Sequence, residues 1–235
     1  PRSAAMSETV TLTAYSALVP ALPLADAAAR FGAEHGVRIE VKPGRPEKWL
    51  PALKAGAPAD LMSCGAEFLL DLAEADGLVE PGTRVGVGHR KAALIVPKGN
   101  PAGISGLTDF ARPGLRMGIS VEGCSLGLWD EVASRAGLRE QVRSKITRRA
   151  GGCGALLGLV SRAEVDAAIG WSNFDQVPNF EVEVVPLPSE LMVFRSTGVG
   201  VVKGSANRAV AERFVSWLVS ASGRDIYRRW GWEVA

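Results

Sequence analysis

The sequence has few of the residues that most metal sites and hydrolytic active sites use. Its 235 residues include three cysteines and two histidines. It contains no phosphate-binding loop, no Ser-His-Asp order and no paired-carboxylate motif. His35 and His89 have no sequence context that would place a base beside a nucleophile. We therefore predict that the protein is not an enzyme, although a cysteine nucleophile in a glycine-rich turn stays open as an alternative.

Long apolar runs and blocks of like charge are also missing. No apolar stretch approaches the roughly 20 residues that span a bilayer. The net charge is +2, with acidic and basic residues interleaved, which argues against a nucleic-acid partner or a polybasic membrane anchor. Residues 1–7 lack the apolar core of a signal peptide. We interpret them as a processed end or a cloning scar that says nothing direct about export.

Helix and strand patterns alternate along the chain, restart once, and end with a returning strand. The predicted strands are 10–15, 37–41, 59–62, 92–97, 115–120, 145–147, 165–169 and 193–202. Strands that alternate with helices are typical of an open, mostly parallel α/β sheet. Because the pattern restarts and then returns, we expect two lobes joined by two crossing strands. The predicted lobes are 1–88 with 195–235, and 89–194.

Several segments are similar to those of known binding proteins. Similarity to the molybdate-binding protein family lies in Ala14-Tyr15-Ser16-Ala17-Leu18, Gly56-Ala57-Pro58-Ala59-Asp60-Leu61 and Tyr227-Arg228-Arg229-Trp230-Gly231. Similarity to the accessory colonisation factor family lies in Pro43-Gly44-Arg45-Pro46-Glu47-Lys48-Trp49, Cys64-Gly65-Ala66-Glu67 and Gly127-Leu128-Trp129-Asp130-Glu131. Taken together and in this order, the segments resemble the type II periplasmic substrate-binding proteins of ABC transporters.

This resemblance implies a two-lobed type II periplasmic-binding-protein fold of the α/β class, with the ligand cleft between the lobes. It also implies a periplasmic or extracytoplasmic location and a small inorganic ligand. Delivery would be to the membrane permease of an ABC transporter or to a sensor kinase. We expect a monomer without a cofactor.

The resemblance also implies five ligand-binding loops at strand ends, where backbone donors collect. These loops are Tyr15–Ala17, Gly44–Pro46, Ser63–Gly65, Gly123–Ser125 with Gly152–Gly154, and Gly170–Ser172. The candidate ligand-binding residues are Tyr15, Ser16, Arg45, Cys64, Gly65, Gly123, Cys124, Cys153 and Trp171. Ser16 occupies the position of a ligand serine in the molybdate family. The chain departs from that family at Pro46, which replaces a serine, and at Trp171, which replaces a tyrosine.

All three cysteines fall in these loops. Thiolates are soft ligands, so magnesium and calcium are poor candidates, and the loops offer zinc no fourth ligand. Sulfurs from Cys64, Cys124 and Cys153 would suit a trigonal centre. The best candidate is trivalent arsenic as arsenite, with antimonite, mercuric and cuprous ions as competitors. Since Cys64 belongs to one lobe and the other two to the second, binding is expected to bring the lobes together.

Other interpretations stay open. The cysteines could be small buried hydrophobes, or two of them could form a disulfide. The ligand could instead be an oxyanion such as molybdate, tungstate or sulfate. Arg45 and Arg90 keep a small dicarboxylate possible, although Arg90 is expected to pair with a carboxylate such as Glu67 or Glu122.

Overall fold

The computed structural model describes residues 9–235, and residues 1–8 lie outside this part. Its strands are β1 (Thr11–Ser16), β2 (Arg38–Pro43), β3 (Leu61–Cys64), β4 (Val85–Pro97), β5 (Met117–Ser120), β6 (Ile146–Ala150), β7 (Ala167–Trp171), β8 (Val182–Pro186) and β9 (Phe194–Val201). Its α-helices are α1 (Ala21–His35), α2 (Pro46–Lys54), α3 (Glu67–Ala75), α4 (Leu128–Arg135), α5 (Arg139–Ser144), α6 (Cys153–Ser161), α7 (Arg208–Leu218) and α8 (Ala221–Arg229). Within residues 9–235, no helix has both the length and the apolar character needed to cross a membrane.

The first lobe is built on parallel strands in the order β2, β1, β3. Every residue of β3 is buried, as expected for a short strand covered on both faces. Helices α2 and α3 cover one of these faces through Trp49, Leu53 and Leu70. Because β1 and β3 are parallel and pair Ser16 with Ser63, both strands end at the same edge of the sheet. That edge faces the second lobe.

The second lobe places its loops in the same way. Strand β5 pairs in parallel with β6 and β7. Ser120 is paired with Ala150, so the segments that follow β5 and β6 start side by side. The segment after β5 forms a 3₁₀ turn at Gly123–Ser125, and the segment after β6 leads into α6. This adjacency brings two of the cysteine-bearing segments together.

Strand β4 connects the two lobes. Its first part, from Val85 to Lys91, pairs antiparallel with β9, whereas Ala92 to Ile95 pairs with β7. Strand β9 in turn lies between β3 and β4, so it returns the chain to the first lobe. The predicted α/β fold with two lobes is confirmed. The exact lobe boundaries, 1–88 with 195–235 and 89–194, stay a prediction.

Several predicted strand ends are wrong: β2 and β6 end at Pro43 and Ala150 rather than at positions 41 and 147, and two further ends concern the site. Strand β3 was predicted to end at Met62, but it continues through Cys64 because Cys64 pairs with Gly198 on the distant strand β9. Strand β7 was predicted to end at Ile169, but Trp171 is its last residue because it pairs with Ala92. Strand β8, helix α5 and the first half of β4 were not predicted as regular elements.

Gly198 offers a test of this central packing. A Cβ at Gly198 would lie 2.6 Å from the Cδ1 of the buried Leu70 and 3.3 Å from the Val85 carbonyl. We expect Gly198→Ala to lower the free energy of unfolding by about 1–3 kcal/mol, since overpacking in a closed core is destabilising. Urea unfolding followed by circular dichroism measures the change.

Gly106→Ala is the matched control. Gly106 has an extended backbone with φ of −176°, and nothing lies within 4 Å of its added Cβ. Its substitution should change the free energy of unfolding by less than about 0.5 kcal/mol. Equal unfolding midpoints for both variants would contradict the described packing around β9.

Candidate functional site

A cavity of about 280 Å³ lies between the two lobes. The first lobe contributes the segments that follow β1 and β2, and the second contributes those that follow β5 and β6. The lining residues are Ala17, Leu18, Val19, Pro20, Gly44, Arg45, Pro46, Glu47, Leu69, Gly123, Cys124, Gly151, Gly152, Cys153, Gly154, Ala155 and Phe180. Four of the five predicted loops contribute to the cavity or lie next to it. The cavity is therefore the candidate ligand site.

Polar contacts hold the lobes together across the cavity mouth. Arg45 of the first lobe forms an ion pair with Glu122 of the second. Glu47 Oε1 accepts a hydrogen bond from the Gly123 N–H at 3.2 Å. Both side chains of the ion pair are partly exposed, so the pair contributes little to stability by itself, on the order of 1 kcal/mol or less. The ion pair links the two lobes, and it neutralises the charges of Arg45 and Glu122 beside the cavity.

Two thiols meet at the wall of the cavity. The Sγ atoms of Cys124 and Cys153 are 3.3 Å apart, which is a hydrogen-bonding distance for sulfur. Cys124 lies in the 3₁₀ turn after β5, and Cys153 is the first residue of α6. The Ser125 hydroxyl is also 3.3 Å from the Cys153 sulfur. All three cysteines of the chain are free thiols in this structure.

A buried arginine lies directly beside this pair. Arg90 is fully buried, and its Nη2 donates to the Gly65 carbonyl at 2.7 Å and to Cys124 Sγ at 3.3 Å. Its guanidinium lies over the rings of Trp171 and Trp232, at 4.9 and 5.2 Å from their centroids. Its Nε and Nη1 have no hydrogen-bond partner within residues 9–235.

The expected carboxylate partner of Arg90 is not found. Glu122 pairs with Arg45 instead, and Arg90 forms no ion pair with Glu67 in the part of the chain that is described. A buried guanidinium without an anion is unfavourable. Cys124 is the acidic group that contacts it.

The pKa values of Cys124 and Cys153 are shifted in opposite directions. The pKa of Cys124 is held well below its usual range, because the Cys153 thiol donates a hydrogen bond to it and the Arg90 charge lies beside it; burial opposes this shift. The pKa of Cys153 is raised well above its usual range, because the same hydrogen bond keeps its proton and because it is desolvated. Within the pair, these shifts favour the negative charge on Cys124 and the proton on Cys153.

Cys64 is separate from this pair. It is the last residue of β3. Its side chain is fully buried in a cluster that includes Trp49 of α2 and Leu70 of α3. Burial raises its pKa to about 12, with a smaller contribution from the nearby Cys124 charge. Cys64 does not line the cavity. Within residues 9–235, no three His, Cys, Asp or Glu side chains lie close enough to hold a metal ion together.

The structure thus brings two of the three predicted sulfurs into contact and places the third behind them. Cys64 is close enough to Cys124 to be affected by its charge, but it is part of the core of the first lobe. The three-sulfur site stays a prediction. It requires the Cys64 sulfur to move toward the sulfurs of Cys124 and Cys153.

The predicted glycines have clear structural roles. A Cβ at Gly65 would lie 2.9 Å from both Arg90 Nη2 and Cys124 Sγ, so the missing side chain makes room for this contact. Gly123 has a positive φ of 67° and begins the turn that carries Cys124. Both glycines therefore serve the position of the thiolate.

The remaining predicted residues lie around the cavity rather than in it. The buried Ser16 hydroxyl donates to the Ala17 carbonyl at 3.0 Å. Tyr15 packs against Trp49, with ring centroids 5.8 Å apart. Trp171 was expected in a cavity loop, but it lies fully buried in β7 beneath Arg90. There its ring packs against the Arg90 guanidinium, whose charge lowers the pKa of Cys124.

Sequence reasoning missed two contributors. Glu47 opens α2 and binds the Gly123 N–H from across the cleft, and its position after a Pro-Gly-Arg-Pro turn was a usable signal. Trp232 lies near the C-terminus and covers Arg90. No local pattern indicates its role, because the bridge between His89 and Glu233 is what brings this segment to β4.

The fold and this interlobe cavity define the class of protein. A family model described as bacterial extracellular solute-binding protein matches residues 12–233. The chain belongs to this family, which is one of binding proteins and not of enzymes. The prediction of a type II substrate-binding protein is confirmed.

Known proteins resemble the chain in sequence and in structure. A sulfate-binding protein of Synechococcus elongatus is 29% identical over an alignment of 151 residues, and the match covers 58% of this chain and 42% of that relative. Peb3 from Campylobacter jejuni has a TM-score of 0.81 and 21% identity, and the match covers 95% of this chain and 100% of Peb3. The periplasmic molybdate-binding protein of Azotobacter vinelandii has a TM-score of 0.78 and 19% identity, with 95% and 99% covered. At these identities the two structures show the fold alone.

The charge state of Cys124 can be tested with Arg90→Met, which removes the cation but keeps a long side chain. In the wild type, the thiolate absorbance in the ultraviolet should persist below the usual cysteine pKa of about 8.5 and disappear as the pH falls through the lowered pKa. In Arg90→Met that loss should occur at a higher pH.

Cys124→Ser identifies the titrating group, because its absorbance step should vanish. Circular dichroism checks that each variant is folded. A wild-type titration that begins only at the usual cysteine pKa, or one that Arg90→Met leaves unchanged, would contradict the thiolate.

Proposed function

We propose that the protein captures a small thiophilic metalloid, with trivalent arsenic as arsenite the best candidate, in the cavity between its lobes. The observation that carries this proposal is the contact between Cys124 and Cys153 on the cavity wall, with sulfurs 3.3 Å apart. Two converging soft donors favour a soft ligand. Cys64 is the third sulfur.

The charges near the cavity suit a neutral solute. Arg45 and Glu122 pair with each other, and Glu47 accepts from a backbone N–H, so none of them is left to bind a strongly charged ion. Arsenous acid is uncharged at neutral pH. Hard cations are poor candidates because they prefer several oxygen ligands.

The chemistry of capture is an exchange of ligands at arsenic. Arsenous acid has three As–O bonds, and each is replaced by an As–S bond. A protonated thiol such as Cys64 or Cys153 supplies the proton with which its leaving hydroxyl departs as water. The Cys124 thiolate displaces hydroxide, which takes a proton from the solvent. The high pKa of Cys64 is therefore no obstacle to binding, because its proton leaves with the product water.

The third bond requires a rearrangement of Cys64. Cys64 lies at the end of β3, next to Gly65, whose carbonyl is held by Arg90. Its sulfur would have to turn from the first lobe's core toward Cys124. Since Cys64 belongs to the first lobe and the other two to the second, the three bonds would fasten the lobes together.

An oxyanion such as molybdate or sulfate is the second candidate. The sulfate-binding relative and the molybdate-binding structure favour it. The unpaired Nε and Nη1 of Arg90 are two further donors in the part described. Against it, the hydroxyls of Ser16 and Ser63 donate to the carbonyls of Ala17 and Gly198 rather than into the cavity.

The family supports a proposal about location and delivery. We propose that the protein works outside the cytoplasm as a monomer and hands its solute to the membrane permease of an ABC transporter or signals through a sensor kinase. The family's description as extracellular supports the location.

The proposal is tested by titrating fully reduced protein with arsenite, molybdate and sulfate, read by native mass spectrometry and calorimetry. We expect one arsenite per chain with loss of three waters. Replacing any one cysteine by serine should weaken arsenite binding by about tenfold or more, equivalent to at least about 1.4 kcal/mol, because chelation is lost.

Ser16→Ala is the matched control and should leave arsenite affinity nearly unchanged. If the wild type binds molybdate or sulfate and not arsenite, and Ser16→Ala weakens that binding, the oxyanion function replaces the thiolate one. Arsenite binding that survives all three cysteine substitutions would also refute the proposal.

A further inference from the structure

The cavity is larger than an inorganic arsenic centre requires. It has a volume of about 280 Å³. A dry cavity of roughly 150 Å³ is known to hold benzene in an engineered protein. An arsenic atom bonded to sulfurs at the wall would leave most of this space empty. The remaining volume can accept an organic group.

Two of the three cysteine sulfurs face this space. Cys124 and Cys153 line the cavity, whereas Cys64 is buried in the core of the first lobe. A trivalent arsenic bonded to the two lining sulfurs has one bond left, and this bond can point into the cavity. It does not need the rearrangement of Cys64 that a third As–S bond requires.

The wall around the space is largely apolar. Leu18, Val19, Pro20, Leu69 and Phe180 contribute to it. Burial of apolar surface against such a wall is favourable because that surface is removed from water. A hydroxyl pointing into this wall would lack partners, while a carbon substituent would be stabilised there.

Building on the proposed function, we propose that the same site binds trivalent organoarsenicals that carry one carbon substituent. Cys124 and Cys153 bond the arsenic, and the organic group occupies the apolar cavity. Two As–O bonds break and two As–S bonds form, while the As–C bond is kept. The oxygens leave as water, with one proton from Cys153 and the other protons from the solvent. No electron is transferred.

The test compares phenylarsine oxide with arsenite on the reduced full chain, by calorimetry and native mass spectrometry. Phenylarsine oxide should bind one per chain. Cys64→Ser should weaken arsenite binding by about tenfold or more but phenylarsine oxide binding by less than about threefold, because only the former needs a third sulfur. Cys124→Ser should weaken both.

A cavity-filling variant tests the location of the organic group. Ala17→Phe adds a ring at a residue that lines the cavity and should weaken phenylarsine oxide binding more than arsenite binding. Ala17→Ser is the control at the same position. It should leave the binding of phenylarsine oxide and of arsenite nearly unchanged. Ala155→Phe, at another lining residue, serves if Ala17→Phe does not fold.

The outcomes separate this inference from the proposed function. Arsenite binding without phenylarsine oxide binding would overturn the inference alone, as would an equal loss of both ligands in Cys64→Ser. Phenylarsine oxide binding without arsenite binding would support the inference and overturn the proposed function in its arsenite form. Binding of neither would overturn both.

Discussion

A buried positive charge organises the site. The guanidinium of Arg90 lies between Trp171 and Trp232 with no solvent exposure, and among residues 9–235 it has no carboxylate partner. Such a charge is tolerated when an anion and polarisable rings replace water. The acidic group in contact with it is Cys124, whose sulfur lies at 3.3 Å and whose pKa this charge lowers. The missing side chain at Gly65 and the proton kept by Cys153 both follow from this contact.

The scaffold explains why this charge lies behind the cavity wall, in contact with Cys124. Parallel strands end at the facing edges of the two lobes, so the segments after β5 and β6 lie against those after β1 and β2. The fold itself hosts many ligands, and the ligand is decided by the side chains at these ends. The hydroxyls of Ser16 and Ser63 donate to backbone carbonyls, while Cys124 and Cys153 line the cavity. This difference is the reason that we propose a thiophilic solute rather than an oxyanion.

The sequence was enough for the two-lobed α/β fold and for the segments that form the cavity, because these depend on local alternation and on turn residues. It was not enough for the depth of Cys64 or Trp171. Both are placed by pairing with strands far away in the chain, to Gly198 and to Ala92. The partner of Arg90 was also mispredicted, since charge alone favours a carboxylate and only the packing of β4 on Trp232 reveals the thiolate.

The most direct test of the account is the count of sulfurs around bound arsenic. X-ray absorption at the arsenic edge distinguishes sulfur from oxygen neighbours in reduced protein loaded with one arsenite per chain. The account predicts three sulfur neighbours in the wild type, and two sulfurs with one oxygen in Cys64→Ser. An arsenic surrounded by oxygen alone, or a wild type and Cys64→Ser with identical spectra, would contradict it.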